Sequence, residues 1–150
     1  MELLRCKTRI AVLWIILAIG FSAYMFLRFL EPGIIEGIIS GQFGRSQSQI
    51  NEGLLFYLAI FWFIPFIMAF LSLTLKGSSN RWTNFVLGLL VAIAFVYGLL
   101  ESARMGHSAV ILVDKSIGLV AAALIAWYAL KWPEPEEQIR VGAIDTYLLA

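Results

Sequence analysis

The sequence predicts an all-α membrane protein: a four-transmembrane-helix antiparallel bundle with a short interfacial helix in the first loop. Three observations carry that expectation. Hydrophobic residues make up 61% of the 150 and charged residues 14%, where a soluble domain holds roughly 25% charged residues. Four apolar runs approach the ~20 residues needed to cross a hydrocarbon core about 30 Å thick. The two later connections are short, which makes consecutive helices antiparallel neighbours. A soluble chain of this length could not bury so much apolar surface in one core. The runs lack the two-residue period of barrel strands, and backbone in lipid must be paired within its own segment, so helices are the reading.

The first span is expected at about 10–30, with Arg28 close enough to its end to snorkel. Arg5, Lys7 and Arg9 precede it, as in a signal peptide. The apolar run exceeds a typical signal core and no small-x-small cleavage site follows, so it reads as a retained helix. In the first loop, 31–53, Pro32 suits a first helical position. Ile34, Ile35, Ile38 and Ile39 recur at helical spacing with Glu36 opposite, and Gly41 can stop the turn. The polar stretch RSQSQIN at 45–51 reads as loop.

The second span, at about 54–75, is uncharged and carries Pro65, which removes one hydrogen bond and predicts a bend. Its aromatics Phe56, Tyr57, Phe61, Trp62, Phe63, Phe66 and Phe70 fall on all sides, a pattern for lipid contact. The connection 76–84 reads KGSSNRWTN; Gly77 can close one helix and Ser79 or Asn80 can cap the next. The third span is expected at about 83–105 and the fourth at about 109–132, joined by the turn GHS at 106–108. Residues 1–133 thus form a single transmembrane domain. Pro133 and Pro135 stop the last helix, and Glu134, Glu136 and Glu137 keep a 134–150 tail in water.

Orientation follows from Lys and Arg. Arg5, Lys7, Arg9, Lys76, Arg81, Lys131 and Arg140 fall on one side; Arg28, Arg45, Arg104 and Lys115 fall on the other. The positive-inside rule places both termini in the cytoplasm of a plasma (inner) membrane protein. Trp82, Trp127, Tyr128 and Trp132 mark the cytoplasmic boundary, with Trp14 near it.

Ionisable groups within spans are costly and usually face the bundle interior. Here Arg28, Glu31, Glu101, Arg104, His107, Asp114 and Lys115 gather at the outer end of the bilayer. Glu101 and Arg104 share a helix face at i,i+3 and can pair. Asp114 lies a turn or two from GHS and can approach either across the hairpin. The set reads as interfacial ion pairs, as a polar cavity for a small ligand, lipid headgroup or ion, or as proton-coupled chemistry through Asp114 and Glu101. Small residues allow close helix approach: Gly88, Ala92, Ala94 and Gly98 in the third span, and Gly118, Ala121, Ala122 and Ala123 in the fourth. Packing within the monomer is one use. A homo-oligomer or a membrane-protein partner through Gly88, Ala92, Gly98 and Gly118 is the other.

Several chemistries find no support. One cysteine, Cys6, and one histidine, His107, give no internal disulfide, closed zinc site or bis-His haem. Cys6 between Arg5 and Lys7 is an unmodified or lipidated juxtamembrane thiol. Ser108 beside His107 is not triad geometry. GQFG at 41–44 lacks the lysine and following helix of a phosphate loop. No basic run suits nucleic acid. No catalytic residue, metal or cofactor is assigned.

Three segments together, PGIIEGIISG at 32–41, LSLTLK with NRWTN at 71–84, and AWYALKWP at 126–133, resemble a group of small bacterial and archaeal four-helix membrane proteins. That group is classed only as a domain of unknown function. The likeness covers about 10–133. It implies an acidic residue in the fourth helix, which Asp114 matches, while Lys115 departs from the pattern; it implies no activity. A looser likeness to DoxX-like proteins is one of topology, and topology does not give function. The expected function is a non-enzymatic accessory or small-ligand/lipid-binding subunit. The alternatives are a small oligomeric transporter or channel component using Glu101, Arg104, Asp114 and Lys115, or a membrane enzyme acting on lipid or quinone.

Overall fold

A computed structural model describes residues 2–30, 32–43, 48–104, 106 and 109–133. Glu31, His107 and the 134–150 tail therefore lie outside the described residues. The described part comprises α1 (Glu2–Phe29), α2 (Ile34–Ile39), β1 (Gln42–Phe43), β2 (Ser48–Gln49), α3 (Glu52–Thr74), α4 (Gly77–Arg104) and α5 (Ala109–Leu130). The long helices α1, α3, α4 and α5 have 28, 23, 28 and 22 residues and are apolar enough to cross a membrane. At 1.5 Å per residue the shortest reaches about 33 Å, enough for a hydrocarbon core of about 30 Å.

Four boundaries differ from expectation. Helix α1 begins at Glu2, so the basic residues before the apolar run are already helical. Helix α4 begins at Gly77 rather than near 83. Ser79 and Asn80 are thus inside it and do not cap its start; the reversal is made by Gly77 itself, whose φ of 64° favours glycine. Pro32 sits in the turn before α2 rather than at its first position, and Gly33 is the N-cap with φ 82°. The stretch 45–51 is not all loop: Ser48–Gln49 pairs antiparallel with Gln42–Phe43. Helix α3 starts under a side-chain cap, Asn51 accepting from the Leu54 N–H at 2.8 Å. It runs unbroken through Pro65.

The packing order is α3–α1–α5–α4. Helix α4 lies along α5, and α1 lies between α5 and α3, whereas α3 and α4 meet far more sparsely. The short connection 75–76 therefore does not make α3 and α4 neighbours along their lengths. Their contact is a polar knot near that connection. Asn84 Oδ1 accepts from Trp14 Nε1 at 2.7 Å and from Ser72 Oγ at 2.8 Å. Asn84 Nδ2 donates to Asn80 Oδ1 at 2.6 Å, and Asn80 Nδ2 donates to the Ser72 and Leu75 carbonyls, each at 2.8 Å. Trp14, Ser72, Asn80 and Asn84 are wholly buried, so Trp14 belongs to the core and not to a boundary belt. Trp132 is buried too, while Trp82 and Trp127 are more than half exposed.

The apolar core runs along α1 and α5 through Ile10, Trp14, Leu17, Ala122, Ile125 and Ala129. Gly88 lets α4 settle on α5, since a Cβ there would lie 2.9 Å from Ile125 Cγ2. Gly118 is covered by the Phe95 ring. These glycines are used within the chain. Outward surfaces stay apolar: Phe56, Trp62, Phe63, Phe66 and Phe70 of α3 are all exposed.

Candidate functional site

Small residues hold α4 close to α5, and α1 also packs on α5, yet α1 and α4 do not close on each other. The gap is a cavity of about 370 Å³, within the size range of small-molecule sites. Its walls are Ile16, Leu17, Gly20, Phe21 and Tyr24 of α1, and Leu90, Val91, Ala94, Phe95 and Gly98 of α4. Asp114, Lys115, Ile117 and Gly118 of α5 complete it. No residue of α3 is among them. Gly20, Ala94, Gly98 and Gly118 leave the space that larger side chains would fill, and most of the lining is apolar.

The polar end is built around Lys115. Its Nζ donates to Ser102 Oγ at 2.7 Å and to the Gly98 carbonyl at 3.0 Å. It also lies 5.7 Å from the Tyr24 ring centroid, within cation–π range. Gly98 makes this reach possible, because a Cβ there would stand 3.3 Å from Nζ. Ser102 is wholly buried. Asp114 is half-buried in the cavity wall, its Oδ1 facing Gly20. Among the described residues Asp114 accepts no hydrogen bond and has no ion-pair partner within 4 Å. The lysine is thus anchored by Gly98 and Ser102 of α4.

Of the seven residues singled out in the sequence, Asp114 and Lys115 share this cavity. Arg28 and Glu101 lie within electrostatic reach of Lys115. Glu101 and Arg104 are both exposed and do not pair with each other, despite their spacing. Arg104 is not part of the lining, and Asp114 pairs with neither of them. Glu31 and His107 fall outside the described residues. Tyr24, Ser102 and Gly20 were missed, and Gly98 was read only as a helix-packing or partner contact. Ser102 alone carried a signal, as a hydroxyl in a span that a neighbouring lysine must find to stay paired. Among the described residues no three His, Cys, Asp or Glu side chains converge as metal ligands.

No curated protein and no solved structure matches the chain, and the likeness to DoxX-like proteins finds no support. The match that does appear runs over residues 4–138, nearly the whole chain. The chain belongs to DUF6326, a family of unknown function.

Proposed function

We propose that this is a non-enzymatic, small-ligand-binding protein of the plasma (inner) membrane, and that its ligand is an amphiphile held between α1, α4 and α5. The observation that carries this reading is the apolar cavity whose wall holds a half-buried carboxylate, Asp114, which has no hydrogen-bond partner among the described residues. Such a site suits a molecule with an apolar body and one hydroxyl or amine directed at Asp114. The four long helices form an antiparallel bundle with both termini in the cytoplasm. Support for that orientation comes from Arg5, Arg9, Arg81 and Lys131, which line one cleft and so gather at one end.

Native mass spectrometry from nanodiscs tests the reading and reports the oligomeric state as well. The wild type is expected to retain an amphiphile distinct in mass from the nanodisc phospholipids. Ala94→Phe, which fills the cavity from α4, is expected to lose it while keeping the wild-type melting temperature. Retention of no amphiphile by the wild type, or equal retention by Ala94→Phe, overturns the reading.

A further inference from the structure

A second recess lies where the start of α1, the start of α4 and the end of α5 meet. Among the described residues four cations line it, Arg5, Arg9, Arg81 and Lys131, with one carboxylate, Glu2. Glu2 stands 3.9 Å from Arg5 and both are largely exposed, so it neutralises little. Two of the cations rest on aromatic faces rather than on acids. The Arg9 guanidinium is 5.6 Å from the Tyr128 ring centroid, and Lys131 Nζ is 4.5 Å from that of Trp127. Stacking fixes these groups in place and leaves their positive charge available.

The cleft opens onto an outer groove between α1 and α5. Arg5 and Arg9 line its mouth with Thr8. Below them Val12, Leu13 and Leu124 form apolar walls, and the groove continues past Leu13 and Leu124 to Ile16 and Val120. From Arg5 to Ile16 the helix advances about 16 Å. Neither α3 nor α4 contributes to this groove. A basic head region thus stands at the membrane boundary over an apolar channel directed into the bilayer.

We propose that cleft and groove together bind one anionic phospholipid, its phosphate among Arg5, Arg9 and Lys131 and an acyl chain along the α1–α5 groove. Charge complementarity selects the occupant: a cation-rich recess at the bilayer surface matches a net-negative headgroup and gives a zwitterionic one no comparable gain. The groove selects a lipid over a free anion. This site is separate from the α1/α4/α5 cavity and does not rest on the reading of that cavity.

The test is native mass spectrometry of the full chain from nanodiscs holding phosphatidylglycerol and phosphatidylcholine of matched chains. The wild type is expected to retain phosphatidylglycerol preferentially. The Arg5→Gln/Arg9→Gln variant is expected to lower that preference roughly 25-fold, at about fivefold for each cation held near an anionic surface. Lys76→Gln removes a cation outside the cleft and is expected to leave it unchanged. Leu124→Trp blocks the groove without changing charge and is expected to reduce phosphatidylglycerol retention even if the double variant does not fold. Equal retention of both lipids by the wild type overturns the proposal. So does an equal loss in Lys76→Gln, which would mean a diffuse surface charge. Full retention by Leu124→Trp, or displacement of the lipid by millimolar inorganic phosphate, overturns the lipid assignment.

Discussion

Replacing Asn84 with leucine keeps nearly the same volume and removes the centre of the buried knot. Three partners are affected. Ser72 Oγ still donates to the Met68 carbonyl at 2.6 Å, so it loses little. Among the described residues the Trp14 indole N–H and the Asn80 Oδ1 have no other partner, and both residues are wholly buried. Interhelical hydrogen bonds in membrane proteins average about 0.6 kcal/mol and reach about 1.7. A buried group left unpaired adds to that, at about 1–3 kcal/mol in soluble proteins. With two hydrogen bonds lost at that average and two groups orphaned at the low end of that range, Asn84→Leu falls about 3 kcal/mol below the wild type. The assay is reversible unfolding in mixed micelles by SDS titration, followed by tryptophan fluorescence. Ser72→Ala is the internal control and should cost under about 1 kcal/mol, because Trp14 keeps its acceptor. A double-mutant cycle with Trp14→Phe should give a coupling of about 1 kcal/mol. Additivity in that cycle, or a loss below about 0.5 kcal/mol for Asn84→Leu, would refute the argument that this knot fastens α1, α3 and α4 together.

Other substitutions probe the remaining contacts by the same unfolding assay. Gly118→Val places a branched side chain where the Phe95 ring lies; a loss of about 1–3 kcal/mol is expected, partly recovered by adding Phe95→Ala. Ser102→Ala takes an acceptor from the Lys115 ammonium and should cost about 1–2 kcal/mol. Arg104→Gln alters an exposed side chain outside the cavity and should stay within about 0.5 kcal/mol of the wild type.

The four long apolar helices were legible because hydropathy over some twenty residues is a property of each segment alone. The helix partners were not, because apolar faces look alike to lipid and to protein. Nothing local marks α1 as lying between α3 and α5. Asn80 and Asn84 illustrate the difficulty. Read as part of a polar connection, they look like caps. Only when α4 begins at Gly77 do they fall one turn apart on one face, with a buried indole to satisfy. The charged cluster was half legible. The cost of charge in lipid pointed to Asp114 and Lys115, and both line the cavity. Spacing also suggested a Glu101–Arg104 pair, but two exposed side chains have water or headgroups as equal partners. The space itself was invisible, since a cavity arises from how far apart α1 and α4 stand.

The packing order α3–α1–α5–α4 bears on how the protein is made. It divides the chain into two hairpins, α1 with α3 and α4 with α5, each formed from segments near in sequence. Each can associate soon after it leaves the ribosome, before the other half exists, since helices insert before they pair. On that order the halves are expected to join last, along the α1–α5 seam, where Trp14 donates to Asn84. Co-expressed halves divided at Lys76 should therefore copurify, and Asn84→Leu should impair that reassociation more than it impairs insertion of either half.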